Sequence, residues 1–495
     1  MKAFLFVKYS TFLFLLFLLS SSMMAQNVDQ WCATKDGKVE WLKKYQANPT
    51  AYEKTGEVLF VPLTIHVVGT NDGTGFFGLE RILKAFCTLN QDFAPSNIRF
   101  FIEGDIRYIY NSAYATHNFN TGWQMMQQNN VSNTINCYIV EDPAGACGYA
   151  YYAAGIALKK TCIGPGDHTW AHEVGHYLSL PHTFYGWEGE VPESGVPAPN
   201  FIGGEQVEKV NGSNCTNAAD GFCDTPPDYL SDRWNCNVDG LSGLLQTDPN
   251  GQTFRSDGSL FMSYADDACS NRFSDEQIQA MRTNLEDDRP NLLYNQNEVP
   301  NMPDVAVELT SPAFAEVTGS PGAGITLSWE PIPNATHYIV QVNPFPAFSY
   351  VLFEFNTDQP TVTVEGLDED QNYYWRVKPY SAYSSCIPFS ATGKFRTGFM
   401  TTGANDPSEE NLNFHVYPNP LTHESHLNLE FNLVESEALT LEVFNGTGIK
   451  IAAEIIEGTL GENQIEWPTA GLPAGIYYIS LTGQSGRFIE KVVVQ

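Results

Sequence analysis

Basic residues are scarce in this chain: 26 Lys and Arg stand against 57 Asp and Glu in 495 residues, a formal charge of −31. Sequence-independent binding of nucleic acid needs clustered Lys and Arg, so no nucleic-acid partner is expected. Long apolar runs are also lacking. The N-terminal stretch MKAFLFVKYSTFLFLLFLLSSSMMAQ has an apolar core from Phe12 to Leu19, shorter than the roughly 20 residues of a membrane-spanning helix. Lys2 and Lys8 precede that run and small residues follow it to Ala25, the pattern of a cleaved signal peptide over 1–25. No membrane-spanning segment is then expected in the mature protein. Histidine is rare too, yet four of the ten fall in HTWAHEVGHYLSLPH, residues 168–182.

At this length two to four domains are expected. VLFVPLTIHVV reads as a buried strand, Leu79, Ile82, Leu83, Phe86 and Phe93 repeat with helical spacing, and NIRFFIE, TINCYIV, GYAYYAA and GIALKK read as further strands. This mixed strand-and-helix region extends over 56–292, after a pro-segment over 26–55, and QNEVPNMP follows as a linker. From 303 to 398 the pattern becomes alternating strands, the signature of a sandwich. A polar linker, TTGANDPSEEN, leads to a last all-β module over 413–495.

The histidine stretch carries the chemistry. Residues four apart share a helical face, so His172 and His176 converge on one point, and Glu173 lies beside that point, where a general base for a zinc-bound water belongs. His182 joins them only if the helix stops and the chain turns back, and Pro181 supplies a stop. Three neutral imidazoles with one open position describe a catalytic zinc; the alternative is a chance cluster of surface histidines. His168 is expected at the helix start or behind the ligands. The ten cysteines of an exported chain make disulfides the default. Cys147 and Cys162 flank a hairpin-like segment that would let them pair, and Cys87, on the apolar side of its helix, is expected to be simply buried.

HEVGHYLSLPH resembles the metzincin signature HExxHxxGxxH, and HEVGHYL…LPHTF, DGFCDTPPD and FMSYADDACSNRFSDEQ, in that order along the chain, look like the pappalysin branch, cytophagalysin-like, over roughly residues 55–290. That resemblance implies an α/β (α+β) zincin fold with a twisted mixed sheet and an active-site helix. It places Met262 in a Met-turn beneath the zinc and Tyr264 where its hydroxyl can stabilise the tetrahedral intermediate. It implies a calcium site at Asp220 and Thr225, with the main-chain oxygen of Cys223 another candidate ligand, against the alternative of a plain Asp/Pro turn. It also implies the interleaved pairs Cys215–Cys236 and Cys223–Cys269. Asp267 becomes the wall of the pocket for the residue after the scissile bond, favouring Arg or Lys there; solvated or calcium-bound Asp266 and Asp267 are the alternative. QWCATKDGK looks like the family's cysteine switch, with Cys32 holding the precursor latent until cleavage between Lys43 and about Thr55; a disulfide at Cys32 is the competing expectation. One departure stands out: the family's glycine is Ser179 here, in a turn that favours a left-handed conformation.

LSWEPIPNATHYIVQV and VTVEGLDEDQNYYWRVKP resemble a fibronectin type III domain, with Trp329 in its core. VYPNP, LPAGIYYISL and KVVVQ look like the C-terminal sorting domain of type IX secretion substrates. The expected whole is a secreted or surface zinc endopeptidase with two all-β sandwiches behind it, exported through the outer-membrane secretion machinery and acting on protein or peptide substrates. The rival is a zincin-fold adhesin or binding protein without significant proteolysis, which would be marked by loss of the general base; Glu173 is present.

Overall fold

The computed structural model describes residues 30–34, 37–52, 56–296, 302–349, 351–399, 414–422, 426–433, 435–446, 448–469, 472–483 and 486–495; the signal-peptide stretch lies outside them. In chain order the first unit contains β1 (Gln30–Cys32), α1 (Glu40–Ala47), β2 (Leu59–Gly69), α2 (Leu79–Phe93), β3 (Ile98–Ile102) and β4 (Arg107–Tyr110). It continues with α3 (Phe119–Asn129), β5 (Ile135–Val140), β6 (Ala146–Tyr151), β7 (Gly155–Lys159), α4 (Thr169–Tyr177) and α5 (Asp275–Thr283).

The strands form one mixed sheet in the order β1-β6-β7-β5-β2-β3, with β4 also paired to β2. β2 is buried at ten of its eleven positions, which explains its unbroken apolar character: a central strand covered on both faces has no solvent side to alternate toward. β6 runs antiparallel to β7, and β1 pairs with β6 in parallel, Gln30 opposite Ala146 and Cys32 opposite Gly148. The N-terminal segment thus caps the sheet edge on which α4 packs, and an edge strand offers unpaired N–H and C=O groups to whatever lies along it. α2 packs behind α4, with the rings of Phe86 and Trp170 6.2 Å apart.

Between α4 and α5 the chain has only two-residue strands and is held instead by disulfides and buried polar contacts. Here the structure corrects the expected pairing. Cys215 bonds Cys223, eight residues away, and Cys236 bonds Cys269, so the bridges follow each other along the chain rather than interleave. The isolated bridge between Trp234 and Ala265 brings Cys236 alongside Cys269, and the tight turns from Cys215 to Phe222 return Cys223 to Cys215. Cys147 pairs with Cys162.

Two further all-β units follow, each with its own apolar core. In the first, a three-stranded sheet (Leu309–Ser311, Ile325–Trp329, Thr361–Val364) faces a five-stranded one containing His337–Asn343 and Asn372–Tyr380. Trp329 is buried in its core, and the Tyr373 hydroxyl accepts from the Asp368 amide at 2.9 Å. This unit is fastened to the first. Cys87 of α2 is not a lone buried thiol as expected but is bonded to Cys386. Around that bond the Ile102 amide donates to the Ala382 carbonyl, Tyr383 stacks on Phe101, and Ile339 and Tyr380 join the apolar core of the first unit. The last unit pairs a three-stranded sheet with a four-stranded one, whose strands span Lys450–Gly458, Glu437–Asn445, Gly475–Gly483 and Gly486–Val494.

Candidate metal centre

α4 is fully buried, and its two histidines face the same point because they lie one turn apart. The helix ends at Tyr177, and Ser179 turns the chain back with φ +85°, the left-handed conformation for which glycine is favoured. The Leu180 amide returns to the Gly175 carbonyl at 2.9 Å, and His182 swings in behind. The His176 Nε2 then lies 3.0 Å from that of His172 and 3.1 Å from that of His182.

Three imidazole nitrogens this close cannot all carry protons toward one another, and their other nitrogens explain why they need not. His172 Nδ1 lies 2.6 Å from the Phe261 carbonyl and His176 Nδ1 2.8 Å from the Leu180 carbonyl, so both are donors and leave Nε2 as a lone pair. His182 Nδ1 is 3.6 Å from Glu188 Oε1. Burial drives the basicity of His172 and His176 well below the usual range and that of His182 down to about 3. Three converging neutral lone pairs in a dry site suit a borderline-soft divalent cation such as zinc. With the Cys32 thiol they form the one group of metal-capable side chains within mutual reach among the described residues.

Glu173 is buried beside them. Its Oε2 accepts from Thr34 Oγ1 at 3.0 Å and its Oε1 has no partner, while burial pushes its carboxyl up to about 8. Gly148 of β6 is required here, since a Cβ on it would come within 2.8 Å of Glu173 Cγ. Gly175 does the same for the floor, where an added Cβ would meet the Met262 sulfur at 2.5 Å. Met262 is fully buried below α4, and Asp228 Oδ2 fixes that floor to the histidine loop by accepting from Thr183 and Ser263, both at 2.8 Å.

The N-terminal segment fills the site from the open side. Cys32 Sγ lies 3.6 Å from His176 Nε2, the Tyr264 hydroxyl donates to the Cys32 carbonyl at 3.0 Å, and the Ala33 amide donates to the Gly148 carbonyl. Cys32 forms no disulfide. A cleft of about 360 Å³ remains beside it, lined in part by Thr34, His176, Ser179 and Tyr185. His168 stands at the start of α4 with Nδ1 2.9 Å from Asp92.

Asp220 and Thr225, the residues expected to hold calcium, lie beside each other outside this centre. Asp220 is buried with both carboxylate oxygens 3.0 Å from Thr225 Oγ1, so that hydroxyl is already donated. Burial, then nearby Asp220, pushes the Glu208 carboxyl up to about 9, and its Oε2 is buried without a partner; Glu208 had no recognisable signal in the sequence.

Asp267 does not present a free carboxylate to the site. Its Oδ2 is 2.7 Å from Arg233 Nη2 and its Oδ1 accepts from the His168 amide at 3.0 Å. The charge on which a basic-residue preference rested is thus matched within the chain, by an arginine 34 residues upstream that sequence spacing does not connect to it.

The strain at Ser179 has a measurable cost. Its hydroxyl is buried without a partner, so Ser179→Gly should relieve both the left-handed backbone and the orphaned oxygen and raise stability by about 1 kcal/mol. Thermal unfolding of the two forms checks this; a lower midpoint for the glycine variant would show that the hydroxyl has a partner in solution.

Residues 415–495 match the secretion system C-terminal sorting domain, and the chain is a secreted or cell-surface protein. An extracellular metalloprotease of Pyricularia oryzae is 26% identical over 206 residues, covering 36% of this chain and 72% of that protein. One of Neurospora crassa is 29% identical over 147 residues, 26% of this chain and 51% of that protein. One of Colletotrichum graminicola is 23% identical over 282 residues, 50% and 87% respectively. The chain therefore spans about half of the Neurospora relative and more of the other two. Among solved structures, the chicken CNTN1 FN1-FN3 domains align at 17% identity and TM-score 0.16, over 39% of this chain and 65% of that one. The fn3 domain of human collagen alpha-1(XX) aligns at 23% identity and TM-score 0.15, over 23% and 98%. Scores that low carry no fold assignment.

Proposed function

We propose that the chain is a secreted zinc endopeptidase of the pappalysin branch of the metzincins, made as a latent precursor and followed by a fibronectin type III-like domain and a type IX sorting domain. The observation that carries this reading is the convergence of the Nε2 atoms of His172, His176 and His182 beside the buried, unpartnered Oε1 of Glu173. The extracellular metalloproteases to which the chain is similar support it.

When bound, zinc would supply Lewis acidity toward a water and the scissile carbonyl. The three histidines would hold it through Nε2. Glu173 takes the proton of the attacking water and passes it to the leaving amine. Tyr264, whose hydroxyl already donates to a main-chain carbonyl, that of Cys32, donates to the oxygen that becomes negative. The edge strand β6 offers its backbone groups to an extended peptide, as it does to β1.

Latency follows from the same contacts. Cys32 stands among the metal ligands, Thr34 engages Glu173, and Cys32 O engages Tyr264, so no reacting group is open until the pro-segment leaves. Calcium at Asp220, with Thr225 and the Cys223 carbonyl, belongs to the same reading; the buried Glu208 supports it by bringing a second carboxylate near Asp220.

The test is a peptide library digested by autoactivated protein with and without chelator, read by mass spectrometry. Hydrolysis lost on chelation and restored by zinc is expected, and hydrolysis indifferent to chelator refutes the reading. In the same samples calcium should raise the unfolding midpoint of the wild type but not of Asp220→Asn; equal shifts would move calcium elsewhere.

A further inference from the structure

Trp31 precedes the switch cysteine, and its surroundings describe a pocket. The indole is 8% exposed. The Arg233 guanidinium carbon lies 4.2 Å over the ring, the His172 ring centre is 4.3 Å away at 65° and that of Tyr264 is 5.3 Å away at 80°. The side chain therefore lies against His172, one of the three converging imidazoles, and against Tyr264, whose hydroxyl donates to the Cys32 carbonyl.

Arg233 is held so that only its face is offered. Its Nε pairs with Asp266 at 2.9 Å, its Nη1 donates to the Ala265 carbonyl at 2.7 Å and its Nη2 pairs with Asp267 at 2.7 Å. Each nitrogen thus has an acceptor already. An acidic guest would have to approach past two carboxylates, and a basic guest would meet a guanidinium that has matched them. A planar π system meets the cation on its negative face and leaves all three ion contacts in place.

Resting on the protease reading above, we propose that the pocket beside the metal selects a flat aromatic side chain on the substrate residue after the scissile bond, stacked on the face of Arg233. Trp31 of the pro-segment occupies that pocket in the latent chain. Arg233 is the specificity determinant, and Asp266 and Asp267 are its positioning residues.

The first arm of the test uses the full-length precursor and does not depend on proteolysis: the rate at which a maleimide labels the Cys32 thiol. Trp31→Phe should label at nearly the wild-type rate, Trp31→Leu about 10-fold faster and Trp31→Arg faster still. In the background of Arg233→Gln, which frees the two aspartates, the order should invert, with Trp31→Arg the slower and Trp31 the faster. The second arm is the cleavage profile of the autoactivated protein, in which peptides with Trp, Tyr or Phe after the cut should exceed those with Arg or Lys by about 10-fold in kcat/KM.

Labelling of Trp31→Arg no faster than wild type overturns the proposal, as does a wild-type profile led by Arg or Lys. If Arg233→Gln does not fold, the order of the Trp31 variants alone decides. If no peptide is cleaved while the labelling order holds, the protease reading falls and the aromatic pocket stands.

Discussion

Glu173→Gln is expected to lose about 10²- to 10⁴-fold in kcat/KM while keeping its metal and its fold. The three nitrogens that would bind zinc belong to other residues, and the rings of His172 and His176 are oriented by main-chain carbonyls, without Glu173. What the carboxylate alone supplies is a basic oxygen: Oε1, buried without a partner and close against Gly148. A glutamine amide fills the same volume and cannot take a proton from water. The substitution also removes a pH dependence. In the metal-free precursor the carboxyl is raised from 4.5 to about 8, chiefly by burial, so its contribution to stability is fully present below the unfolded value and is lost as pH rises through the folded one. Between those limits the wild type should lose unfolding midpoint with rising pH relative to Glu173→Gln. Peptide kinetics, zinc content and melting curves across that range decide the matter; hydrolysis undiminished in the variant would remove Glu173 as the base.

The centre was legible in the sequence because most of its determinants are local. One helical turn separates His172 from His176, so their convergence follows from helix geometry alone. The left-handed turn expected at Ser179 is present for the same reason: a chain that must return His182 to the helix within three residues of that position has few conformations available. The partners that orient the histidines were not legible. Phe261 O is 89 residues from His172, and nothing in a main-chain carbonyl marks it for such a role. The least legible region lies between α4 and α5, where side-chain contacts rather than strand pairing set the path. The resemblance there implied a free carboxylate at Asp267, and the arginine that engages it is brought near by the isolated Trp234–Ala265 bridge, which leaves no periodic signal. The cysteine pairing failed for a related reason: several pairings suit the same four residues until the irregular backbone between them is known.

The Cys87–Cys386 bond carries the second large effect. It closes a sequence separation of 299 residues, and the chain-entropy account gives long closures the largest stabilisation, so the double variant Cys87→Ala/Cys386→Ala should lose about 2–5 kcal/mol. Much of that loss should register in the first unit rather than in the sandwich. Cys87 lies on α2, whose Phe86 packs toward Trp170 of the histidine helix, and Ile339 and Tyr380 of the sandwich complete the apolar core behind it. The sandwich then acts as a wall of the candidate peptidase unit, not as a bead on a linker. A midpoint lowered by about 5–15 °C, with hydrolysis at elevated temperature lost in parallel, is the expected result. The contrary outcome is equally specific: if the double variant unfolded at the wild-type midpoint, the Ile102–Ala382 hydrogen bond and the Tyr383–Phe101 stack would suffice to hold the units together. Substituting Tyr383 by Ala in that same background separates the contributions, because a packed interface without covalent help should then come apart while the sandwich keeps its own core around Trp329 and Trp375.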